Sequence, residues 1–95
     1  MDEKIRKHMR FYGWVQGVGF RYRARHAAGL VGTTGWVKNE ADGSVTLELQ
    51  GTQEQIDKVI ELIQRGRYVE ISHVDAKTIP VDPDERSFSV RGSYW

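Results

Sequence analysis

Between residues 45 and 50 apolar and polar side chains alternate without a break, Val45, Leu47 and Leu49 against Thr46, Glu48 and Gln50. A period of two puts the apolar set on one face of a strand, so this strand lies over a core with its other face turned away. On both sides of it the period changes. Upstream, Ala24, Ala27, Ala28 and Val31 recur at i, i+3, i+4 and i+7, and downstream Ile56, Val59, Ile60 and Ile63 do the same. A one-faced strand between two one-striped helices leaves few ways to close a core: the helices cover the apolar face of the sheet.

The remaining elements fit around that frame. Met9 to Val15 reads as a strand with Met9, Phe11 and Val15 on one face, and a two-glycine loop, Gln16-Gly17-Val18-Gly19-Phe20, leads into the first helix. Gly32 is placed to end that helix. Thr34–Asn39 and Ser44–Gln50 read as strands joined through Ala41-Asp42-Gly43, where Asp-Gly supplies the turn. Thr52 with Gln55 is a capping box for the second helix, which stops near Gly66. Glu70–Ile79 and Ser87–Arg91 read as strands around a break at Pro80-Val81-Asp82-Pro83-Asp84.

The order is βαββαβ with a short strand added at the end. Two right-handed strand–helix–strand units interlocked in this way predict an α+β, ferredoxin-like sandwich, an antiparallel sheet with two helices on one face. With 95 residues there is room for one such domain, predicted over 9–95 behind a flexible tail at 1–8.

Charge and composition narrow the chemistry. A formal net charge of +1 gives no bulk field for a polyanion. There is no cysteine, which removes disulfides, thiolate nucleophiles and thiolate metal ligands, and His8, His26 and His73 are too scattered for a zinc site. The charged start carries no secretory pattern, and no apolar run approaches the ~18 residues of a membrane span. The expectation is a cytoplasmic monomer that acts neither at a membrane nor, by bulk charge, on nucleic acid. Aromatics at Phe11, Tyr12, Trp14 and Trp36 raise a nucleic-acid stacking platform as a competing use of this fold class. The basic-aromatic signature of that module is absent, and the strand at 45–50 carries no aromatic.

Two places can carry chemistry. A glycine-rich turn can aim successive backbone N–H groups into one concavity, the helix start behind it adds a positive dipole end, and Arg21 at the junction offers a two-pronged fork to phosphate or carboxylate. Neither sharper phosphate motif is present: no Lys follows for a P-loop, and Tyr22 stands where a dinucleotide loop needs its third glycine. Arg21, Arg23 and Arg25 all lie near the helix start, where cations oppose the dipole unless an anion is to be bound. Asn39 ends its strand on the Val37 face, and its carboxamide can hold a water. Taken alone, the loop also reads as a plain tight turn with a solvated Arg21, and Asn39 as a turn-former.

The residues in these two places resemble a known family. Gly13-Trp14-Val15-Gln16-Gly17-Val18-Gly19-Phe20-Arg21 is similar to the first signature of the acylphosphatases, glycine-x-valine-glutamine-glycine-valine-x-phenylalanine-arginine. Gly35-Trp36-Val37-Lys38-Asn39, then Gly43, Val45 and Gly51, is similar to the second. The resemblance implies a ferredoxin-like fold and hydrolysis of acyl phosphates to carboxylate and inorganic phosphate. It further implies that Arg21 grips the phosphoryl oxygens, that Asn39 orients the attacking water, and that backbone N–H groups of Gln16, Gly17, Val18, Gly19 and Phe20 line the phosphate cradle. No metal or cofactor is implied. The alternative within the same fold is a phosphoryl- or anion-binding module without turnover.

Overall fold

A computed structural model describes residues 3–92. Within them the chain runs β1 (Ile5–Trp14), α1 (Phe20–Val31), β2 (Thr34–Asn39), β3 (Val45–Gly51), α2 (Gln53–Gln64), β4 (Glu70–Ile79) and β5 (Phe88–Arg91). The strands form one sheet in the order β4-β1-β3-β2-β5. The strands β4, β1, β3 and β2 pair antiparallel, whereas β5 joins the edge of β2 in parallel, Val37 opposite Val90. The expected antiparallel sandwich is therefore present with one parallel strand added to its edge.

The core is the one that the two periodicities require. Phe20, Ala24, Ala27 and Ala28 of α1 and Ile56, Val59 and Ile63 of α2 are buried against Met9, Phe11, Val37, Val45, Leu47 and Leu49 of the sheet. Small residues on α1 let it lie close to the strands, and Phe11 and Phe20 fill the space beneath its first turn, their rings 5.2 Å apart. Gly32 ends α1 in the left-handed region and returns its N–H to Ala28 O at 2.8 Å, and the Thr52–Gln55 capping box starts α2.

One boundary differs from the sequence expectation. The strand β1 begins at Ile5, so the segment predicted as tail belongs to the sheet from that residue on, and residues 1 and 2 lie outside the described part. Arg6 supplies the reason. Its guanidinium donates to Glu48, to Gln50 and twice to Glu85, and the residue is buried. Gln50 in turn exchanges two hydrogen bonds with the backbone of Asp82. The segment between β4 and β5 is thereby pinned across the helix-free face of the sheet, and a charged strand end becomes a buried anchor. Burial alone would raise the Glu48 carboxyl, but its bonds to His8 and Arg6 outweigh that and hold it below the usual carboxylate range.

Candidate active site

The loop between β1 and α1 is shaped by Gly17 and Gly19, whose φ angles of 73° and 81° lie in the left-handed region that side-chain-bearing residues avoid. Gly19 is also the residue that opens α1: its carbonyl accepts the Arg23 N–H at 2.9 Å. No side chain caps this helix start and no acidic residue stands in its first turn. Such a start suits an anion.

Asn39 reaches the same place from the other side. It is the last residue of β2, on the inward face with Val37, and is 6% exposed. Together with Val15, Gly17, Gly19, Phe20, Arg21 and Tyr22 it lines a pocket of about 180 Å3. Arg21 and Asn39, far apart in sequence, thus meet around one concavity with both loop glycines. Of the basic residues near the helix start, only Arg21 lines it. Arg23 lies over Gly66, where an added Cβ would come within 2.9 Å of its Cδ, and Arg25 is exposed.

Of the five residues whose backbone N–H groups are expected to form the cradle, Gly17, Gly19 and Phe20 line this pocket. Val18 faces neighbouring grooves rather than this pocket. Gln16 directs its side-chain amide away, donating to Glu40 O at 2.7 Å and to Ser44 O at 2.9 Å. Those carbonyls flank the β2–β3 turn directly after Asn39, so Gln16 is a strut between the loop and the strand end that carries Asn39. The turn itself is firm. The Asp42 carboxylate accepts from the Ser44 hydroxyl and N–H and from Arg10, and is held at about 2, with the Ser44 bonds as the main cause. Thr46 donates its hydroxyl to Glu40. The sequence had no local signal for this strut, because a Gln beside a glycine loop is also a plausible loop residue until Glu40 and Ser44 are brought beside it. Tyr22 also lines the pocket, and nothing in its local sequence marks it.

Among the described residues no group of three or more His, Cys, Asp or Glu is positioned to hold a metal ion. The residues lining the pocket include no Asp, Glu or His.

The chain as a whole is similar to known proteins. The acylphosphatase family model matches residues 7–90. An acylphosphatase of Bifidobacterium longum is 44% identical over 89 residues, covering 92% of each chain. The crystal structure of acylphosphatase from Bacillus subtilis superposes with a TM-score of 0.83 at 26% identity over 92% of this chain and 98% of that one. The structure of an acylphosphatase from Coxiella burnetii gives a TM-score of 0.82 at 35% identity over 93% of both. The family model covers both the glycine loop with Arg21 and the strand end with Asn39, and the chain belongs to the acylphosphatase family.

Proposed function

We propose a division of labour within this pocket for the hydrolysis of acyl phosphates, the reaction that membership of the acylphosphatase family gives this chain. The observation that carries it is that Arg21 and Asn39 line one small concavity with Gly17 and Gly19. Arg21 holds two phosphoryl oxygens with its fork, and backbone N–H groups of the 16–20 loop and the start of α1 complete the cradle. Asn39 holds a water at the open side of the phosphorus through its carboxamide.

The chemistry asks little more. The water oxygen attacks phosphorus, the bond from phosphorus to the carboxyl oxygen breaks, and its electron pair leaves on the carboxylate. The proton released by the water passes to a phosphate oxygen, so the acyl phosphate dianion and water give a carboxylate and dihydrogen phosphate. A carboxylate is a good leaving group and needs no strong acid, and the substrate's own oxygen serves where the pocket offers no protein base. Catalysis then rests on positioning and on charge stabilisation. The same reading takes the chain as a cytoplasmic monomer acting on small molecules without a cofactor. Its net charge of only +1 supports the part of that reading that excludes nucleic acid.

The test is phosphate release from acetyl phosphate by the wild type and by Arg21→Lys. Lysine keeps the charge and loses the fork. Turnover should fall by about 10²-fold or more, the scale of losing one preorganised donor. A folded Arg21→Lys protein with near-normal turnover would remove Arg21 from the role given to it.

A further inference from the structure

A second concavity adjoins the phosphate pocket. Trp14, Gly17, Val18, Arg67, Tyr68 and Glu70 line an open groove of about 430 Å3, and Gly17 belongs to both. The sheet fixes where the two lie. Asn39 ends β2, whereas Trp14 ends β1 with Glu70 of β4 opposite it. In the order β4-β1-β3-β2, the groove therefore sits on one flank of the loop leaving β1 and Asn39 on the other.

Two aromatic rings stand in the walls of the groove. Trp14 is 67% exposed and Tyr68 66% exposed. Tyr68 stands on the turn before β4, which is closed by the bond from Val69 N–H to Gly66 O. Neither ring belongs to the core. Arg67 and Glu70 bring one charge of each sign, which favours no net charge on an occupant.

We propose that this groove receives the acyl part of the substrate and selects aromatic acyl phosphates, whose ring lies against Trp14 and Tyr68. The inference rests on the neighbouring pocket being the phosphoryl site. Displacement at phosphorus runs in line, with the entering water and the departing oxygen on opposite sides. With the water held on the Asn39 side, the departing carboxylate points toward β1 and β4, past Gly17 and into the groove. When the phosphorus–oxygen bond breaks, the electron pair stays on the carboxylate there. The methyl group of acetyl phosphate is too short to span both rings, whereas a benzoyl ring reaches them.

The experiment compares kcat/KM for benzoyl phosphate and acetyl phosphate in the wild type, Trp14→Ala, Tyr68→Ala and Trp14→Phe, with inorganic phosphate inhibition measured on each. The benzoyl-to-acetyl ratio should fall roughly three- to tenfold in each alanine variant, the scale of one aromatic contact. Trp14→Phe should restore most of it, and phosphate inhibition should stay within about twofold, because phosphate does not enter the groove. A ratio within about twofold of wild type in either alanine variant overturns the proposal. So does a loss shared equally by both substrates together with weaker phosphate inhibition, since Trp14 and Tyr68 would then be supports of the cradle. A wild type that hydrolyses neither compound refutes the phosphoryl site itself, while one that hydrolyses both at a ratio indifferent to the two rings refutes the groove alone.

Discussion

Truncating Gln16 to alanine should uncouple the glycine loop from the strand that presents Asn39, at a cost that the geometry bounds. The change deletes two hydrogen bonds, at 2.7 and 2.9 Å. Net values of 0.5–1.5 kcal/mol apiece put the loss at about 1–3 kcal/mol. Neither carbonyl is orphaned, because Ser44 O keeps the Glu40 N–H and Glu40 O keeps the Gly43 N–H. The penalty for stranding a buried acceptor is thus avoided, and the lower half of that range, about 1–2 kcal/mol, is expected. For a domain of this size that is roughly 5–15 °C in the thermal midpoint. The functional loss should be the larger effect, since a misplacement of about 1 Å between substrate and catalytic group costs on the order of 10²-fold. Gln16→Glu should be at least as damaging, because it sets a carboxylate oxygen against two carbonyls. Thermal unfolding followed by circular dichroism, paired with phosphate release from acetyl phosphate, reads both quantities. An alanine variant with unchanged midpoint and unchanged kcat/KM would refute the strut. A lowered midpoint with intact kcat/KM would show that the loop keeps its register without Gln16.

Two further outcomes follow from the same structure. Exhaustive chelation should leave acetyl phosphate hydrolysis unchanged, since the proposed route uses only Arg21, Asn39 and backbone donors; activity that dies with chelator and returns with magnesium or zinc would contradict it. The Asp42 carboxyl, held at about 2, contributes stability that is complete above its unfolded value near 3.9 and is lost as pH falls from there toward 2. Thermal midpoints measured across that window should therefore fall less steeply for Asp42→Asn than for the wild type, and parallel curves would show that the bonds from Ser44 and Arg10 do not favour the charged form.

What could be read from the sequence was what short-range periodicity and local caps encode. The stripes Ala24-Ala27-Ala28 and Ile56-Val59-Ile63, the Thr52–Gln55 box and the Gly32 stop each depend on residues within two turns of one another, and each appears in the structure. The candidate residues Arg21 and Asn39 stand out in the sequence only through the two motifs that hold them, because spacing alone leaves both readable as turn residues. The remainder depends on contacts between distant segments. Ile5-Arg6-Lys7-His8 looks like a solvated tail until Glu48, Gln50 and Glu85 surround Arg6. The parallel seat of β5 beside β2 depends on the 80–87 segment crossing the helix-free face, which those same bonds secure. The long strand β4 spans the Glu70–Ile79 that its sequence predicts, yet alternation predicts nothing of its exposure: only Ile71 and Ile79 are half-buried, because it lies at the sheet edge.

The central claim is that Arg21 and the loop bind the phosphoryl group while Asn39 positions the water, and one variant separates the two roles. In Asn39→Ala, kcat for acetyl phosphate should fall by about 10²-fold, as for the loss of a preorganised polar group acting in the transition state. Inorganic phosphate, which needs only the cradle and Arg21, should inhibit this variant with the same constant as the wild type. If Asn39 merely shaped the turn, the change would cost about 1 kcal/mol of stability and leave kcat nearly intact. A kcat that survives, or a phosphate inhibition constant that weakens in step with kcat, would contradict the division of labour.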